Sequence, residues 1–276
     1  MKTLAVTSGK GGVGKTALAC SLATIIARDG KKVLLVDANF GLPNVDLYCG
    51  LEMGCTLGHV VRDGRDMRDA IMATDEGVDV LSGGSGWKEL SLLDSAGVAG
   101  LVQSIVGFAG DYDHVIFDCP SGFGDRVNPI LELSDGMMLV TLSDAASLMN
   151  SYAMLKNSWE LKSDIKAGIV VNRVAGSALG KQVATEVQGI VGQFLSRELQ
   201  YWGAVREDAH VGKACAERRP FAEKYPVAGA SQDMIDAANC VMGGEVDETV
   251  EVSFLGRLKS KFGKGDAGAV EHADAA

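Results

Sequence analysis

Six short aliphatic runs recur along the chain, each bounded by glycine, proline or charged residues, and between them the apolar positions fall at helical spacing. The runs are Lys2 to Ser8, "KKVLLVDA", "GVDVLSGG", "HVIFDCP", "GMMLVTL" and "AGIVVNR". Their Val, Ile and Leu residues stand next to one another rather than alternating with polar ones, which predicts strands covered on both faces. Helices are predicted over Lys15 to Asp29, closed by Gly30, over Trp87 to Phe108, and over Ala145 to Leu161. Strand–helix alternation of this kind predicts an α/β fold with a doubly wound, mostly parallel sheet. Right-handed crossovers then bring every strand's carboxyl end, and with it the site, to one edge. After about Met242 the pattern changes. "GGEVDETVEV" is acidic and "SFLGRLKSKFGKG" basic, so one globular domain is expected over 1–243 and a tail over 244–276.

The turn after the first run carries the clearest chemistry. Gly9, Gly14, Lys15 and Thr16 fit G-x-x-x-x-G-K-[ST] between a strand and a helix. Backbone N–H groups of Gly11, Gly12, Val13, Gly14, Lys15, Thr16 and Ala17 are the expected phosphate cradle, reinforced by the positive end of the helix. Lys15 is expected on the β/γ-phosphates and the Thr16 hydroxyl on Mg²⁺, which makes ATP and Mg²⁺ the expected ligands of a P-loop NTPase.

A second lysine, Lys10, sits in the same loop. "KGGVGKT" resembles the deviant Walker A loop of the MinD/ParA class of P-loop ATPases. That resemblance implies an ATP-dependent homodimer in which Lys10 crosses to the partner's phosphates and stabilises developing charge in trans. The competing reading is a solvated loop charge. "VDANFGLPNVD" stands where that class has its first switch, and "FDCPSGFG" resembles the second, with Asp118 closing a strand. The resemblance implies Asp37 and Asp118 near the metal, Asp46 in the switch, and Asn172 with Arg173 of "VVNRV" at the base. Within the class, "GLPNVDLYCGL", "VLSGGSGWKEL" and "RRPFAEKYPVAGAS" are similar to the FlhG/FleN group, which controls flagellar number and placement.

The chain departs from the pattern in three places. The class has Asp-x-Asp in its first switch; here the segment is Asp37-Ala38-Asn39. An amide cannot accept a proton, so Asn39 orients water at most, and slow ATP hydrolysis is expected. The competing reading makes Asn39 a turn former beside Gly41, with another group catalytic. Arg206 stands where the class has proline near the base. The FlhG/FleN group also carries an N-terminal extension that stimulates a signal-recognition-type GTPase. This sequence begins at its first strand, which puts that activity in question.

The remaining features narrow the partners. Phe254, Leu255, Leu258 and Phe262 share one helical face, flanked by Arg257, Lys259, Lys261 and Lys264. This reads as an amphipathic helix over 252–263 for an anionic membrane surface, strengthened by avidity in a dimer; a partner-docking segment is the alternative. A net charge of −10 and a pI near 4.9 argue against nucleic acid as the main partner. Six cysteines without a Cys-x-x-Cys pair and four dispersed histidines point away from zinc or iron–sulfur ligation and towards a cytoplasmic protein with reduced thiols. No apolar run reaches the ~20 residues of a membrane span, so membrane association is expected to be peripheral. The function expected is a switch ATPase that positions or counts a cell-surface machine, with a flagellar GTPase or a flagellar or secretion basal-body protein as partner. A hydrolysis-deficient, ATP-locked scaffold and a ParA-like partitioning ATPase on nonspecific DNA are the alternatives.

Overall fold

Along each central strand, successive side chains enter different cores. Leu4 and Val6 of β1 (Thr3–Thr7) pack on one face of the sheet and Ala5 on the other. Met138 and Val140 of β6 (Gly136–Thr141) likewise oppose Met137 and Leu139. This is the two-residue pleat with both faces buried, and it explains why the runs are aliphatic throughout. The computed structural model describes residues 2–84 and 86–243. The expected tail over 244–276 and the amphipathic helix predicted over 252–263 lie outside the described residues.

The other strands are β2 (Val33–Asp37), β3 (Ile71–Ala73), β4 (Val78–Leu81), β5 (His114–Asp118), β7 (Lys166–Val174) and β8 (Gln200–Arg206). They form one eight-stranded sheet in the order β3-β4-β2-β5-β1-β6-β7-β8. Every pairing is parallel except β3 with β4. The helix α1 (Lys15–Arg28) packs on the face that holds Leu4, Ile116 and Trp202. On that face also lie α9 (Ala209–Ala216), α10 (Phe221–Lys224) and α11 (Gly229–Val241). The opposite face is covered by α5 (Ser95–Phe108), α6 (Asn128–Leu133), α7 (Ala145–Leu161) and α8 (Ser177–Leu195). Short helices α2 (Val45–Tyr48), α3 (Leu57–Asp63) and α4 (Lys88–Ser91) complete the order.

The run Trp87 to Phe108 is two helices, not one. Asp94 interrupts it by accepting the Gly97 amide at 2.8 Å, so its side chain caps a new helix start. Strand β8 escapes the pattern because Gly203, at φ 125°, bulges it. Gly168 of β7 lies directly under the Trp202 indole, and a methyl at that position would stand 1.9 Å from the ring. Gly168→Ala is therefore expected to cost about 1–3 kcal/mol of stability, the usual range for overpacking, seen as a lower urea midpoint. No helix among the described residues is long and apolar enough to cross a membrane.

Candidate nucleotide site

The carboxyl ends of β1, β2 and β5 meet at one point of the sheet edge, where Asp37 and Asp118 are register partners. The loop from Gly9 to Gly14 rises over them. Gly12 and Gly14 take left-handed φ of 75° and 100°, which a side chain resists. The space is as restrictive as the torsions. A Cβ on Gly9 would meet the Asn150 carbonyl of α7 at 2.4 Å, and one on Gly14 the Asn172 amide at 2.5 Å. A cavity of about 290 Å³ opens above the loop. Its walls include Gly12, Gly14, Lys15, Thr16, Asn39 and Asp118, together with Tyr48, Ser121 and Arg173.

Lys15 projects into the floor and is only 8% exposed. Its ammonium donates to Ser8 Oγ at 2.9 Å and Ser121 Oγ at 2.7 Å. Burial pulls its pKa down, and the nearby Asp118 charge opposes that pull. Thr16 Oγ1 donates to Asp118 Oδ2 at 2.6 Å. Burial raises the Asp118 pKa, against the Thr16 hydrogen bond and the Lys15 charge. Asp118 Oδ1 is buried with no hydrogen-bond partner among the described residues. An orphaned carboxylate oxygen beside a hydroxyl, next to a phosphate loop, fits a hard cation whose remaining ligands are phosphate and water. Asp37 is placed differently. Its two oxygens accept the amides of Asn39 at 3.0 Å, Asn44 at 2.6 Å and Val45 at 2.8 Å. It therefore shapes the loop over 38–44 and the start of α2, while burial and the Asp118 charge push its pKa up.

Lys10 leaves the cavity. Its ammonium lies 3.3 Å from Asp144 Oδ1, with the two side chains 42% and 45% exposed. Asp144 caps α7 through the Ser147 hydroxyl at 2.5 Å and the Ser147 amide at 3.0 Å. Those two bonds, more than Lys10, hold its pKa down at about 2. The Asn39 amide donates to the Leu42 carbonyl at 2.8 Å, closing its own loop while still lining the cavity. Asn172 is buried and occupied. Its Nδ2 donates to the Val13 carbonyl at 2.8 Å and its Oδ1 accepts the Arg173 amide at 2.9 Å, bracing the phosphate loop against β7. Gly11 and Val13 complete the loop, exposed and buried respectively, and Ala17 is buried in the first turn of α1. Asp46 accepts its neighbour's amide, Leu47 N, at 3.0 Å. Arg206 does not stand free at the base side; two of its guanidinium nitrogens donate to Asp233 at 2.7 Å each. Of the adjacent pair Arg218 and Arg219, the latter is held by Asp75 and Glu223.

Ser8, Ser121, Tyr48 and Asp144 are the site residues that motif reading did not single out. Ser121 stood inside "FDCPSGFG" and Tyr48 inside "GLPNVDLYCGL". Arg126, two residues beyond "FDCPSGFG", donates to the Ser91 carbonyl of α4 and lies against Gly41 of "VDANFGLPNVD".

Residues 4–221 match the family model described as the CobQ/CobB/MinD/ParA nucleotide binding domain. The chain is similar to the antiactivator FleN of Pseudomonas aeruginosa, 30% identical over 231 residues that span 84% of this chain and 82% of that protein. It is also similar to the flagellum site-determining protein YlxH of Helicobacter pylori, 26% identical over 95% of this chain and 88% of that one. Among solved structures, the septum site-determining protein MinD of Pyrococcus horikoshii, complexed with Mg-ADP, shares the fold. The TM-score is 0.75 at 24% identity, covering 88% of this chain and 96% of that chain.

Proposed function

We propose, from the premise that this chain belongs to the CobQ/CobB/MinD/ParA nucleotide-binding family, that it is a MinD/FlhG-type switch ATPase which dimerises on Mg-ATP. The observation that carries this reading is the division of labour between the two lysines. Lys15 is sunk in the cavity floor, while Lys10 of the same loop turns away from that cavity to Asp144. A lysine of the phosphate loop held only by an exposed ion pair to Asp144 supports a contact with the phosphates of a second copy once that pair opens.

In this reading Lys15 and the loop amides bind the phosphates, and Asn172 keeps the loop in shape. Thr16 and Asp118 would hold Mg²⁺, which when bound supplies charge neutralisation to the phosphate oxygens. Ser8 and Ser121 keep the Lys15 ammonium aimed, and Lys10 of the partner adds charge at the transferred phosphoryl group. Asn39 orients the attacking water without taking its proton, so turnover is slow and the dimer persists. Asp144 is a built-in competitor for Lys10, and its hold is weak because the pair is half exposed.

The physiological role that fits is placement of a flagellum or related machine at the inner face of the cell membrane, where the protein associates peripherally. It engages anionic lipid through 252–263 and a flagellar GTPase or basal-body protein as partner. Similarity to FleN and YlxH supports this role.

The test is mass measurement with ADP and with ATP, with and without anionic vesicles. Wild type is expected to double in mass with Mg-ATP and to bind vesicles in that state. Lys10→Ala is expected to bind ATP normally yet dimerise at least about tenfold more weakly, since a hydrogen bond to a charged group contributes about 1.5–3 kcal/mol. Equal dimerisation of the two proteins would exclude the trans role.

A further inference from the structure

Two loops contribute walls to the nucleotide cavity, one over 38–44 through Asn39 and one over 119–127 through Cys119, Pro120 and Ser121. They are joined at the root, where the Ala38 amide donates to the Asp118 carbonyl at 3.0 Å. The loop over 119–127 is firmly based. Its Gly122 amide donates to the Ser8 carbonyl at 2.8 Å, beside the phosphate loop. Its Gly124 amide donates at 3.1 Å to Asn128 Oδ1, which also accepts Asn157 Nδ2 of α7 at 3.0 Å. The loop over 38–44 instead closes on itself. The side-chain amides of Asn39 and Asn44 both donate to the Leu42 carbonyl, at 2.8 and 2.9 Å, and Leu42 is 75% exposed.

Arg126 spans the gap between them. Its Nη2 donates to the carbonyl of Ser91, the last residue of α4. That carbonyl is among those a helix end leaves without an intrahelical partner. Its Nη1 lies against the loop over 38–44 so closely that a Cβ on Gly41 would stand 2.9 Å from it. Gly41 does not take a left-handed φ, so space rather than torsion is what a side chain there would violate. No carboxylate among the described residues pairs with Arg126, and the rigid fork of the guanidinium is therefore spent on direction, not on charge. Gly41 is two residues from Asn39, so whatever fixes the backbone at 41 also fixes where the Asn39 side chain meets the cavity.

We propose that Arg126 is a positioning residue for ATP hydrolysis: bonded to Ser91 and lying against Gly41, it sets the loop over 38–44, and with it Asn39, against the Lys15–Ser121 side of the cavity. The assignment rests on the reading of this cavity as an ATPase site. Arg126 itself touches neither nucleotide nor water; it acts through Asn39, where a displacement of about 1 Å is enough to slow a reaction by one or two orders of magnitude.

The test measures single-turnover ATP hydrolysis, Mg-ADP affinity and mass with Mg-ATP on the full chain. Arg126→Ala is expected to slow hydrolysis about tenfold, equivalent to about 1.4 kcal/mol of barrier. The side chain is exposed, so its loss opens no hole in the core. Mg-ADP affinity is expected to stay within about twofold of wild type, because the phosphate contacts are untouched, and dimer mass to be unchanged. Gly41→Ala keeps the arginine but pushes its guanidinium aside, and is expected to slow hydrolysis to a similar degree. The double variant is expected to be no slower than either single one, the mark of two changes acting on one contact. Should Arg126→Ala fail to fold, Gly41→Ala carries the test through the same split between hydrolysis and Mg-ADP affinity. Unchanged hydrolysis in either single variant would overturn the proposal, as would a double variant slowed about 100-fold, the product of two independent effects. Parallel loss of Mg-ADP affinity would overturn it by making Arg126 a support of the whole cavity, and loss of the Mg-ATP dimer by making it a subunit contact. A wild type that binds Mg-ADP without hydrolysing ATP would leave no step to position and would overturn it as well. Failure of wild type to bind Mg-ADP would instead remove the nucleotide reading itself, and the role of Arg126 with it.

Discussion

Lys15→Ala is expected to lose Mg-ADP and Mg-ATP binding by about 100-fold or more, the effect of removing one partner from a buried charge arrangement worth about 3–5 kcal/mol. The ammonium lines the cavity beside Asp118, whose register partner is Asp37. It is also desolvated before any ligand arrives, as the downward pull on its pKa records. A triphosphate entering the cavity thus meets a largely buried cation that two serine hydroxyls hold in place. With alanine, Ser8 and Ser121 lose their donor, the Asp118 carboxylate loses a compensating charge, and the incoming anion faces net repulsion. Calorimetric titration checks the affinity. A thermal midpoint near that of wild type shows that the loss is local to the site. Binding within tenfold of wild type would contradict the role given to Lys15.

What the sequence made legible follows from where each constraint lies along the chain. The phosphate loop is local: its glycines, Lys15 and Thr16 are contiguous, so spacing alone located them and the strand–loop–helix context. The doubly wound sheet was legible because burial on both faces leaves near-continuous aliphatic strands, with Leu4, Ala5 and Val6 all buried. The Asp144 clasp on Lys10 was not legible, because 134 residues separate the two and only the meeting of β1 with the start of α7 brings them together. Tyr48 is a similar case, an ordinary apolar position in a four-residue helix until α9 is folded against it. Asn172 shows a subtler limit. Its place at the end of β7 was readable, yet both ends of its amide are engaged with Val13 and Arg173, a use that sequence position cannot convey. The break at Asp94 was readable in principle, as an aspartate three residues before Gly97 is an ordinary helix start.

Asn39→Asp is expected to raise the ATP turnover of the dimer by about 100-fold, the lower end of what a positioned general base contributes. In the present loop the side chain is turned inward. Its amide donates to the Leu42 carbonyl, and the Leu42 amide returns a bond to the Asn39 carbonyl at 3.0 Å. A carboxylate cannot donate to Leu42, and it adds a negative group to the neighbourhood of Asp118. Both effects drive the side chain out of the loop and towards the cavity that Asn39 already lines, where a cation and water would receive it. The same substitution should loosen the apo protein by about 1 kcal/mol, the net worth of one hydrogen bond. It should also shorten the lifetime of the ATP-bound dimer in proportion to the faster turnover. Phosphate release under saturating Mg-ATP measures the first effect, chemical denaturation the second, and dilution of the preformed dimer the third. An unchanged rate in the aspartate variant would place the water-activating group elsewhere and leave Asn39 as the closure of its turn. No detectable turnover in wild type, with turnover restored in the variant, would instead identify the natural protein as an ATP-held scaffold whose release depends on nucleotide exchange.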